Sequence, residues 1–128
     1  MFEGVNWLGV GLGAVLAFVA GWFYYSPKGF YSMWSASAGV QHKPGDPMAA
    51  AFGSLVAGLI LYAVFVGVMM ARGQTGPLVF GIFAFIIMGY ASNAFKKLGA
   101  VSRTVDAGSW ALSGLLMIGA QWVLGTAP

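Results

Sequence analysis

Cysteine is absent from the sequence, and charge is scarce: six basic residues, three acidic ones and a single histidine stand among 128. The missing cysteine excludes disulfides, thiol redox chemistry and cysteine metal sites. The shortage of charge excludes more. Charged residues make up 7% of the chain and hydrophobic ones 59%, whereas a soluble domain carries roughly 25% charged residues. A water-facing surface cannot be assembled from this inventory. In lipid only helices and closed barrels satisfy the backbone. Barrel strands alternate apolar and polar residues, and the runs here are continuously apolar. The expectation is an all-α integral membrane protein forming one domain over residues 1–128, with no basic run beyond Lys96-Lys97 and hence no nucleic-acid partner.

Four segments are long enough to cross a hydrocarbon core, which takes about 20 helical residues. They run over about 5–25, 47–71, 77–95 and 106–125. Asp46-Pro47 and Gly76-Pro77 read as cap and first turn of the second and third segments, and Asp106 as the cap of the fourth. Glu3 precedes the first run where a signal peptide would carry Lys or Arg, so this run is read as a span. Between the second and third spans lie only Arg72 to Gly76, which makes them antiparallel neighbours. Lys28, Lys43, Lys96, Lys97 and Arg103 then fall on one side of the membrane and Arg72 on the other. Basic loops stay in the cytoplasm, so both termini are expected outside it.

Residues 21–34 read GWFYYSPKGFYSMW. Aromatic rings with polar edges collect where lipid meets water, so Trp22, Tyr24 and Tyr25 mark the cytoplasmic interface. Ser26 and Pro27 suit the cap and first turn of a new helix. Phe30, Tyr31, Trp34 and Ala38 recur at helical spacing, with Ser32 and Ser35 off that face. A helix over about 27–38 is too short to span, and is expected to lie in the interface as an amphipathic element.

The turn Tyr25-Ser26-Pro27 followed by Phe30 and Trp34, together with Asn6-Trp7-Leu8 near the start and Gly108, Trp110, Gly114, Gly119 and Trp122 in the last span, resembles the small bacterial membrane proteins of the domain of unknown function 1761 family. Tyr31 stands where that family usually has glycine. The resemblance implies four membrane helices in a bacterial inner membrane and no established activity.

Gly9, Gly13, Ala17 and Gly21 repeat at four-residue spacing on the first span, and Gly53 and Ala57 continue a similar stripe on the second. Small residues let helix backbones approach closely in lipid. The stripe is either an internal seam or a contact surface for a second copy or a larger membrane-protein partner. Ser92, Asn93, Ser113 and Gln121 are the candidate polar residues within the membrane, as interhelical hydrogen-bond partners or as contacts to a polar ligand. His42 is alone and makes no metal site, and no acid, base and nucleophile group together. No cofactor is expected. The role read from the sequence is a non-enzymatic structural or accessory subunit in contact with membrane lipid. The alternative is a small dimeric transporter or channel for a neutral or weakly polar solute. Small multidrug transporters are similar in plan, but they rely on a glutamate in the first span, and this one has none.

Overall fold

The computed structural model describes residues 2–26, 29–38 and 49–124. Among them all regular structure is helical: α1 (Trp7–Tyr24), α2 (Tyr31–Ala38), α3 (Ala49–Ala71), α4 (Thr75–Phe95) and α5 (Ala100–Leu124). All but α2 are long and apolar enough to cross a membrane. At 1.5 Å per residue, the shortest of the four, α1 with 18 residues, reaches about 27 Å, close to a hydrocarbon thickness of about 30 Å.

The helix ends follow from local chemistry. Asn6 caps α1, its Oδ1 accepting from the Gly9 amide at 3.1 Å. The turn after α3 is a Schellman motif: Gly73 adopts φ +67° and donates to the Met70 carbonyl, and Gln74 donates to the Met69 carbonyl. After α4 the same two bonds form, from Lys97 to Ala94 and from Leu98 to Asn93, with Lys97 itself at φ 64°.

Several starts differ from the sequence expectation. α4 begins at Thr75 with Gln74 as its cap, so Gly76-Pro77 lies inside the first turn. Pro77 is tolerated there because the first-turn amides have no helical partner. α2 begins only at Tyr31, because the Ser26 hydroxyl turns back to the Phe23 carbonyl at 2.6 Å instead of capping forward. The largest difference is α5, which starts six residues before Asp106, at Ala100. Its cap comes from elsewhere in the chain: Ser37 of α2 accepts from the Ser102 amide at 3.1 Å, and the Ser37 carbonyl accepts from Gly99. Asp106 is therefore a mid-helix residue and not a cap. The expected Asp46-Pro47 cap, and His42, Lys28, Lys43 and Pro27, lie outside the described residues.

α5 is the centre of the bundle, with α1, α2, α3 and α4 all packed on it and α1 packed most closely. α1 and α5 are antiparallel. Gln121 donates to the Asn6 carbonyl at one end of the pair, and Tyr24 donates to the Val105 carbonyl at the other. The first end, here the amino-terminal end, also holds the exposed ion pair Arg72–Glu3 at 3.7 Å. The second, the basic end, holds Lys96, Lys97 and Arg103. The buried apolar core, including Val5, Val10, Val66, Leu78 and Met117, sits toward the amino-terminal end. Large side chains such as Phe80, Trp122 and Val123 are about four-fifths exposed and face outward from the bundle.

Candidate functional site

Polar groups converge at the basic end. Asp106 on α5 accepts through Oδ1 from the Tyr25 hydroxyl and through Oδ2 from the Asn93 amide at 2.7 Å. One carboxylate thus joins the end of α1 to α4 and α5. The Tyr25 ring lies edge-on to Trp34 of α2 at 6.2 Å and to Tyr24 at 5.2 Å. Burial, and then the bond to the Asp106 carboxylate, push the Tyr25 phenol far above its ordinary value of 10.0, so it remains a neutral donor. Beside this node Arg103 stacks on the Tyr90 ring at 5.1 Å, linking α5 to α4 by a cation–π contact. Such a node fixes helix ends, and it places a carboxylate and a phenol next to a cleft.

The cleft lies between α3 and α5. Residues 53–58 of α3 are all exposed, because this half of the helix stands off from the bundle. On the α1 side the gap forms a cavity of about 470 Å³ reaching Gly21, Tyr25, Ser26 and Ser109. On the α4 side it forms one of about 450 Å³ reaching Ser54, Gly58, Tyr62 and Phe85. The two share Leu55, Leu59, Trp110 and Ser113 as a common wall. Both volumes fall in the range of small-molecule sites, about 300–1,000 Å³.

The small residues expected to pack divide into two groups. Gly9, Gly13 and Ala17 are buried on α1. A Cβ at Gly13 would come within 3.1 Å of the Met117 Cα, and one at Gly9 within 2.8 Å of the Gln121 amide. Gly67, which with Ala63 and Ala71 continues the small-residue spacing of the second span, gives Val10 and Gln121 room on the α3 side. Gly21 has open space where a side chain would grow and borders the cleft. Gly53 and Ala57 are exposed, and a Cβ at Gly53 would meet nothing within 4 Å. As packing positions within this chain these two are corrected, since the part of α3 that carries them leaves the bundle.

The four polar candidates do not form one site. Asn93 belongs to the node at the basic end, whereas Gln121, 1% exposed, bonds to the Asn6 backbone at the amino-terminal end. Ser113 is buried and lines the cleft, and Ser92 is exposed. The aromatic turn behaves as one unit, with Tyr24 against Phe30 at 4.7 Å and Tyr25 against Trp34. The face expected of α2 is altered, because Ser35 is buried and Ser37 bonds to α5, while Phe30 and Met33 are exposed. Ser35 and Ser37 thus turn toward protein, while Ser32 stays exposed. Sequence reading missed three pairings: Tyr25–Asp106, Ser37–Ser102, and the bond by which the Tyr62 hydroxyl donates to the Trp110 carbonyl at 3.1 Å. Each pairs residues far apart in the chain, and only the single Asp in an otherwise uncharged run signalled one of them. Among the described residues, no group of three His, Cys, Asp or Glu side chains could hold a metal ion. No protein-family model, curated protein or solved structure matches the chain.

Proposed function

We propose that the chain is a multi-pass protein of the bacterial inner membrane with both termini outside the cytoplasm, and that it serves as a non-enzymatic structural or accessory subunit. The orientation rests on the basic residues: among those described, Lys96, Lys97 and Arg103 lie at the basic end and Arg72 at the other. The resemblance to the domain of unknown function 1761 family supports the bacterial setting.

The observation that carries the role is the exposed stretch 53–58 of α3. Gly9 and Gly13 of the α1 stripe are taken up by α5, whereas Gly53 and Ala57 remain uncovered. A helix from a larger membrane protein or a second copy can approach the α3 backbone there as closely as α5 approaches α1. A second reading, a small dimeric transporter or channel for a neutral or weakly polar solute, is favoured by the hydroxyls of Ser54 and Ser113 in the cleft. Native mass spectrometry of the protein gently extracted from its own membrane separates the two. A stable heteromeric partner supports the accessory role. A homodimer retaining small solutes supports transport, and a bare monomer defeats both.

A further inference from the structure

The α1-side cavity has two unlike ends. It follows α1 from Ala17 to Tyr25, about 12 Å at 1.5 Å per residue. Over most of that length its walls are apolar, with ring surface from Phe18, Trp22 and Trp110 and aliphatic surface from Leu55 and Leu59. At the basic end the same cavity reaches the hydroxyls of Tyr25, Ser26 and Ser109. Among the described residues no Lys, Arg, Asp or Glu lines it, and an ion held in apolar surroundings without a partner is strongly disfavoured. The occupant that suits this cavity is therefore neutral.

The hydrogen bonds at the polar end fix what the occupant must offer. A hydroxyl has one proton and two lone pairs. The Tyr25 proton is already given to Asp106, and the Ser26 proton to the Phe23 carbonyl. Both oxygens can therefore only accept from an occupant. The carboxylate beyond Tyr25 strengthens that phenol as an acceptor, since linked hydrogen bonds polarise one another. An O–H group meets two acceptors here, whereas an ether oxygen finds no donor in either.

We infer that the α1-side cavity binds a neutral, largely apolar alcohol or phenol, its hydroxyl donating to Tyr25 or Ser26 and its body lying along Phe18 and Trp22. This names a class of ligand that neither the accessory role nor the transport reading assigns. It rests on the cavity and its hydrogen bonds, and not on transport or oligomeric state.

The test uses the whole protein in phosphatidylcholine vesicles and two photoreactive probes, benzophenone with a para hydroxymethyl group and the methyl ether of that alcohol. The two share a body and differ in the donor. After irradiation, the labelled residues are mapped by mass spectrometry. The alcohol should label the cavity stretches 17–22 of α1 and 109–113 of α5, and excess para-phenylbenzyl alcohol should compete that label away. The ether should label there several-fold less, while both probes mark exposed Phe80 equally and without competition. A Cβ at Gly21 meets nothing within 4 Å, so Gly21→Leu fills the cavity without a clash. It should lower the competable label several-fold and leave the Phe80 label and thermal unfolding in place. Ser26→Ala keeps the cavity open and should narrow the gap between alcohol and ether. Equal labelling of the cavity by both probes overturns the inference, as does label that the competitor does not displace or that persists in Gly21→Leu. Competable, alcohol-selective label on a protein found as a bare monomer supports the site while defeating both roles, so the two failures are distinguishable.

Discussion

Asn93 on α4 donates to one oxygen of Asp106 on α5 while Tyr25, at the end of α1, donates to the other. A bond to a charged acceptor is worth about 1.5–3 kcal/mol in soluble proteins, but polar pairs between membrane helices average only about 0.6 kcal/mol, with a maximum near 1.7. The node lies near a helix end, so Asn93→Ala should destabilise by about 1–2 kcal/mol. Unfolding titrations of Asn93→Ala, Asp106→Ala and the double variant should give a double effect clearly smaller than the sum. Strict additivity would dissolve the pair.

Alkali should loosen the same node. The Tyr25 phenol is raised well above 10.0 in the folded protein by burial and by Asp106. A group whose folded value is raised contributes stability that is fully present below its unfolded value and is lost as pH climbs through the range up to the folded one. Stability should therefore be flat up to about pH 9 and fall above about pH 10, where an unfolded tyrosine ionises. Tyr25→Phe should lose part of that slope. A tyrosinate absorbance titration in which Tyr25 ionises near pH 10 in the folded protein would contradict the burial.

Ser37 should matter to a helix it does not belong to. Losing a capping hydroxyl typically costs about 1 kcal/mol, and Ser37→Ala removes the acceptor for the Ser102 amide. Hydrogen exchange should quicken at the first turn of α5 and leave the middle of that helix protected. A change confined to α2 would mean that α5 caps itself.

The four long apolar helices were legible in the sequence because apolar run length is a property of one segment. The start of α5 was not. Gly99 brings no capping side chain, and Ser37, which supplies one, lies 65 residues from the Ser102 amide it accepts from, so the nearest acid, Asp106, looked like the cap. The carboxylate node was hidden for the same reason, since Tyr25 and Asp106 are 81 residues apart. Nor does small-residue spacing say which stripe finds a partner. Gly9 and Gly13 meet α5, while Gly53 and Ala57, spaced alike, face outward.

That division can be measured directly. At Gly13 the obstacle to a side chain is the Met117 backbone at 3.1 Å, which cannot swing aside, so Gly13→Leu should cost about 1–3 kcal/mol through overpacking. Gly53→Leu meets open space and should leave the isolated protein's unfolding within about 0.5 kcal/mol. Equal losses would place Gly53 inside a seam of this chain.

Orientation can be read without removing any native thiol, since the chain has no cysteine. In intact cells an impermeant maleimide should label Gln74→Cys and spare Lys97→Cys. The reverse pattern would invert the bundle.

The closest partnership in this protein joins its first helix to its last. Ribosomes add about 5–20 residues per second, so the 81 residues from Tyr25 to Asp106 take roughly 4–16 s to make. Through that interval α1 waits without the helix that covers Gly9 and Gly13, and the α3–α4 hairpin is complete before α5 exists to receive it. Assembly is thus set by the arrival of α5, and any partner engaging α1 in the meantime must yield to it.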